Sequence, residues 1–252
     1  MFSAFVGPQL VIFTKDLWQP FLFAASYVAQ AGVAVLSGLV LLATRIPRPV
    51  EAARRMSEGR PLAEIFRQPR LIVAVVCGVA SYSMMNLVMT SAPVAMLDCQ
   101  HSVTDATLGL QWHVVGMYAP SFFTGALIAR FGTDRMAGLG LAIIAVGAVI
   151  ALAGISIWHF WTTLILLGVG WNFAFVGATA LVTQCHRPNE RNKVQAVNDF
   201  LVFGSMAIGS FSSGKLLASY GWDMVAGVVL PSVAVAGVLL LAVNLLARPR
   251  PA

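Results

Sequence analysis

The side chains able to do chemistry lie inside long apolar stretches. Tyr82, Asn86 and Thr90 recur at four-residue spacing and so share one helix face. Gln111, His113 and Tyr118 occupy a second stretch; Trp171 and Asn172, with Phe175 and Thr179 on the same side, occupy a third. Hydroxyls, amides, an imidazole and an indole in such surroundings can line a water-filled path for a small solute, whose identity the residues do not reveal. Taken one at a time, each position is equally compatible with a bond to a neighbouring helix. Asp199 is the only acidic residue inside an apolar stretch, with Phe203, Met206 and Ser210 at helical spacing beyond it. An ionisable group there is costly and is a functional candidate by default. His113 can exchange protons near neutral pH. The two differ in depth by about 15 Å across a hydrocarbon core of about 30 Å, so they cannot share a hydrogen bond. No nucleophile lies at the depth of a base, so no enzymatic activity is expected. Cys77, Cys99 and Cys185 show no metal spacing, and neither metal nor other cofactor is expected.

What positions these side chains follows from composition. Of 252 residues, 58% are apolar and only 10% charged, against about 25% charged in a soluble domain. That excludes an ordinary water-soluble enzyme, a disordered segment and a nucleic-acid-binding domain, and makes the lipid bilayer the natural partner. Seven runs are long enough to cross a bilayer as helices: Pro20–Thr44, Leu71–Leu97, Thr107–Ala129, Met136–Ile157, Phe160–Thr183, Val194–Gly214 and Met224–Ala247. Met1–Thr14 is apolar but shorter, and its Gly7-Pro8 pair is expected to break or end a helix. The fold class predicted is an all-α polytopic membrane protein.

Fourteen of the sixteen lysines and arginines fall in the loops of one side, leaving Lys15 and Lys215 on the other. Basic residues in short loops mark the cytoplasmic side. The C-terminus is therefore expected in the cytoplasm, and the net charge of +6 reports orientation and requires no nucleic acid. Met136–Ile157 and Met224–Ala247 are apolar almost all round and suit lipid. The other four spans after residue 70 carry polar-aromatic stripes, which points to a bundle whose inner helices line a cavity.

One loop adds a family likeness. Gly125-Ala126-Leu127-Ile128-Ala129-Arg130-Phe131-Gly132-Thr133-Asp134-Arg135 resembles the signature loop of the major facilitator superfamily, G-x-L-x-D-R-x-G-R-R/K. Gly125, Leu127, Arg130 and Gly132 match; Ala129 stands at the aspartate position, and Arg135 is displaced by one. Pro188–Lys193 resembles the family's junction between helices ten and eleven, and Gly214 to Gly221-Trp222 its turn between eleven and twelve. The resemblance implies helices six to twelve, with Met1–Thr14 as the tail of helix five and the four to five helices before it absent. Residues 1–46 would then be a remnant of the amino-terminal bundle, 47–70 a basic cytoplasmic linker, and 71–252 the carboxy-terminal six-helix bundle. It also implies that helices seven, eight, ten and eleven line the cavity, as their polar stripes do independently.

The expected function is movement of a small solute by alternating access, with the chain truncated relative to a full transporter. Tyr82, Asn86, Thr90, Gln111, His113, Tyr118, Trp171 and Asn172 are the path candidates. Asp199, Gly125, Arg130, Gly132, Arg135, Glu190 and Arg191 are candidates for gating or proton coupling. The expected location is a bacterial plasma membrane, and the partner is a second bundle, from another copy or a separate chain. The alternative weighed against this is a seven-helix receptor or sensor.

Overall fold

The computed structural model describes residues 2–44 and 59–246. Arg45, Arg48, Arg54, Arg55, Arg248 and Arg250, and the first half of the 47–70 linker, lie outside the described residues. Among the described residues the regular elements are helical and no strand occurs. In lipid a helix satisfies its own backbone polar groups, which is what such apolar stretches require. The chain divides into two compact units, Met1–Glu58 and Gly59–Ala252.

The first unit holds α1 (Phe2–Thr14) and α2 (Ala24–Ala43). Contrary to expectation, Gly7-Pro8 does not end α1, which runs through Pro8 at the loss of one backbone hydrogen bond. Nor does the following span start at Pro20. Phe23 takes a left-handed φ of 68°, and its N–H donates back to the Lys15 carbonyl at 2.9 Å, so helix begins only at Ala24. Thr14 Oγ1 donates to Ser26 Oγ at 2.8 Å, and Ser26 is the buried residue of α2. Most of the rest of α2 is exposed and apolar, Tyr27, Leu36 and Leu42 among it.

The second unit contains α3 (Leu62–Ile65), α4 (Pro69–Asp98), α5 (Val103–Tyr118), α6 (Ser121–Phe131), α7 (Thr133–Ala153), α8 (Ile157–Gln184) and α9 (Arg191–Leu246). Across both units five helical stretches are long and apolar enough to cross a membrane, six with α5 and α6 taken together. The expectation of one unbroken helix over Thr107–Ala129 is corrected here. Pro120 lacks an N–H, so the helix breaks, and α5 and α6 meet at 41°. α5 also starts earlier, because Ser102 and Asp105 form a capping box ahead of Val103. The break expected near Gly214 is absent as well. The helix continues until Gly221, whose φ of 79° is open to glycine at little cost.

α8 is packed tightest. A Cβ on Gly140 of α7 would lie 2.1 Å from the Ala174 nitrogen, and one on Gly177 would lie 2.8 Å from the Ala137 nitrogen. On the α5 side, a Cβ on Gly168 would lie 2.5 Å from the His113 carbonyl oxygen. Only glycine lets these backbones meet, and close approach of this kind is what holds membrane helices together.

The loops sort by end. Arg70 pairs with Asp134, and Arg60 with Glu190, gathering three basic loops at one end of the unit. At the other end, Trp222 Nε1 donates to the Ala151 carbonyl at 3.2 Å, and Trp161 Nε1 donates to the Asp105 carbonyl at 3.0 Å. Replacing Gly140 with leucine must separate α7 from α8. We expect it to destabilise by at least about 1–3 kcal/mol, read as a lower thermal midpoint in detergent. Gly214→Ala meets no atom within 4 Å and should leave the midpoint unchanged or raise it.

Candidate functional site

Four helices place their aromatic side chains together. Trp171 and Phe175 are one turn apart on α8 and stack, with centroids 5.4 Å apart and 11° between planes. Tyr82 of α4 meets them edge-on at 5.3 and 4.9 Å. Phe203 of α9 lies 5.6 Å from Tyr82, and Tyr118, ending α5, lies 6.5 Å from Trp171. Trp171 is 7% exposed, whereas Tyr118 and Phe203 are each 48% exposed, so the cluster is closed at its base and open at its rim. Trp171 Nε1 is buried without a hydrogen-bond partner, which leaves a donor whose desolvation nothing offsets. Phe175 and Phe203 were not among the path candidates. Their signal was helical spacing from Trp171 and Asp199.

The other path candidates divide. Asn86 donates to the Met206 carbonyl at 3.4 Å, tying α4 to α9, and Thr90 is exposed with its hydroxyl on the Asn86 carbonyl at 2.7 Å. Asn172 is turned away from the rings, toward the break at Pro120. Its amide nitrogen donates to the Met117 carbonyl and to Ser121 Oγ, both at 2.7 Å, and its oxygen accepts from Thr124 Oγ1 at 2.6 Å. It thereby supplies the donor that the interrupted helix lacks. His113 is fully buried, and its Nδ1 lies 2.7 Å from the Leu164 carbonyl. A carbonyl only accepts, so Nδ1 carries the hydrogen, while the buried Nε2 has no partner. Gln111 is buried on the same helix.

The gating candidates lie at the end with the basic loops. Glu190 is fully buried. Arg60 Nε and Nη2 each donate to one of its oxygens at 2.9 Å. The backbone N–H groups of Arg60 and Arg187 add bonds at 3.1 and 2.9 Å, and Lys193 Nζ donates to the Arg60 carbonyl. The segment before α4 is thus clamped to the junction before α9. A second tie joins the first turn of α4 to the α6–α7 turn, where Arg70 Nη2 donates to Asp134 Oδ2 at 2.9 Å. Gly132 makes that turn with a φ of 90°, Arg130 lies over the Phe131 ring at 5.2 Å, and Gly125, Arg135 and Arg191 are exposed. Asp199 is half-buried and accepts from Gln195 Nε2 at 2.9 Å and Asn198 Nδ2 at 3.3 Å. Among the described residues no group of three His, Cys, Asp or Glu could hold a metal ion.

The Arg60 guanidinium, followed by the Arg187 N–H, holds the Glu190 carboxyl well below the ordinary carboxylate range. A carboxyl with a lowered pKa contributes stability above its unfolded value, about 4.3, and loses it as pH falls through the lowered value. The clamp should therefore survive at pH 5 and open only in strong acid. Glu190→Gln should open it at neutral pH, with tryptic cleavage after Arg67 rising about tenfold as the charge-assisted pair is lost. Equal cleavage of both forms would contradict the clamp.

The chain resembles known proteins over most of its length. It is 51% identical over 233 residues to the riboflavin transporter RfnT of Brucella anthropi, covering 92% of this chain and 58% of that protein. It is 30% identical to the uncharacterized MFS-type transporter YddS of Bacillus subtilis, covering 90% of this chain and 56% of the relative. Identity to YdeG, an uncharacterized MFS-type transporter of the same organism, is 31%, covering 86% and 54%. The chain thus spans just over half the length of these curated relatives. A transporter family replaces the alternative of a receptor or sensor, and it is not a family of enzymes. Residues 75–252 match the Major Facilitator Superfamily, and the chain, a multi-pass membrane protein, belongs to it.

Proposed function

We propose that this chain carries a solute-facing bundle of a secondary transporter that moves a planar heteroaromatic solute of the flavin class by alternating access. The observation that carries the reading is the ring cluster shared by α4, α5, α8 and α9, with a buried indole N–H that has no acceptor. A flat ring system entering at the open rim can stack or meet edges, each contact worth about 0.5–1.5 kcal/mol. Trp171 Nε1 then donates to a carbonyl or ring nitrogen of the solute. The likeness to a protein named for riboflavin supports that solute class.

Tyr82, Trp171 and Tyr118 form the contact surface, and the exposed Thr90 continues it along α4, while Asn86 ties α4 to α9 beside it. Gln111, His113 and Asn172 hold the helices behind it. The break at Gly221 supports counting α9 as two spans, which with α5–α6 as one gives seven, the C-terminus in the cytoplasm of a bacterial cell. Alternating access needs two bundles around one site, so transport belongs to this bundle together with a second. The Arg60–Glu190 clamp, Gly125, Arg130, Gly132, Arg135 and Arg191 form its inner gate, and Asp199 is the proton-coupling candidate.

Riboflavin fluorescence tests the contact surface in membranes holding the transporter that contains this chain. Trp171→Phe keeps a ring but loses the donor, and should weaken riboflavin quenching about tenfold. Trp171→Ala should weaken it further. Unchanged quenching in both variants would remove the solute assignment. Uptake tests coupling separately: Asp199→Asn should flatten its pH dependence, and an unaltered profile would discard that role.

A further inference from the structure

The end of the second unit that carries the basic loops holds another cavity, of about 930 Å³, between the α6–α7 turn and the last turns of α9. Its polar side is Arg130, Asp134 and Arg135. Its other side is a trough where Gly138 and Gly237 present no side chain and Leu240 and Leu241 form the walls, with the Asn244 amide one turn further along α9. Nothing lies within 4 Å of a Cβ built on Gly237. Asp134 is taken by Arg70 at 2.9 Å. Among the described residues Arg130 and Arg135 meet no carboxylate within ion-pair distance, so the mouth is cationic while the trough is aliphatic.

We propose that this cleft binds an anionic phospholipid of the leaflet that faces the basic loops. The phosphate sits on Arg130 and Arg135, and one acyl chain lies along Gly138, Gly237 and Leu240. Planar guanidinium groups match phosphate oxygens with paired hydrogen bonds. Basic pockets between membrane helices on the cytoplasmic side suit anionic headgroups. Charge complementarity alone would admit a free phosphate, but the stretch lined by Gly138, Gly237, Leu240 and Leu241 offers such an ion nothing. An amphiphile fills both halves and bridges α7 to α9. The assignment rests on the membrane orientation proposed above, but none of these residues belongs to the ring cluster.

The test is lipid retention by the purified chain, taken from bilayers of equal phosphatidylglycerol and phosphatidylcholine and counted by native mass spectrometry. Phosphatidylglycerol should be retained in clear preference. The variant R130Q/R135Q should lose about 30-fold in retention, two surface charges at their usual worth. G237L, with both arginines intact, should lose retention as well. R130K/R135K, which keeps the charge, should recover part of it, separating a lost site from a misfolded chain. Equal retention of both lipids by the unaltered chain, or full retention by R130Q/R135Q, would overturn the proposal. Displacement by soluble glycerol phosphate would overturn it too, by showing an anion site without a lipid. Riboflavin quenching in the same samples reads the transport proposal independently.

Discussion

Backbone contact along α8 sets the arrangement of the second unit. In a bilayer, helix association gains little from burying apolar surface, because lipid is as apolar as the partner helix. Close packing has to replace that drive. Gly168 lies against the His113 backbone, and Gly177 against Ala137, with Gly140 pressed on Ala174. Two faces of α8 are thereby committed to α5 and α7. Trp171 and Phe175 sit beside the α5 seam, where they meet Tyr82 of α4, which in turn meets Phe203 of α9. Rotation of α8 by one residue would put side chains into both seams and take the rings out of register.

The polar bonds fall into two sorts. Those of Asn172, His113 and Thr124 lie deep among helices, where breaking them leaves an unsatisfied group in a dry interior. They hold the helices of the bundle to one another. The charged contacts Arg60–Glu190 and Arg70–Asp134 lie instead at one end, among the basic loops. That division, dry bonds inside and ion pairs at one end, is what the proposed rocking mechanism would draw on.

Much of this was legible in the residues and some was not. Composition and the distribution of arginines set the class, the approximate spans and the gathering of basic loops. The four-residue spacing of Gly170, Ala174 and Ala178 is a small-residue row of the kind that packs membrane helices, and all three are buried. What failed was local. Pro120 lies within an otherwise continuous apolar run, and hydropathy registers no loss of an N–H. Gly214 and Gly221 have the same composition signal, but only Gly221 takes a positive φ. The rotation of Asn172 and His113 was hidden for a related reason: on a helix apolar nearly all round, a single polar residue faces a cavity or a neighbour according to packing that no spacing records. Phe175 and Phe203 were overlooked as functional candidates because an aromatic residue in a bundle core needs no further explanation.

Solvent access to the ring cluster tests the account most directly. In a form of the transporter without its native cysteines, a cysteine at Phe175 or Tyr118 should react with a membrane-impermeant thiol reagent, and saturating riboflavin should slow both reactions. If both positions react only with lipid-soluble reagents and riboflavin changes neither rate, the rings face the bilayer and the cluster is not a solute site.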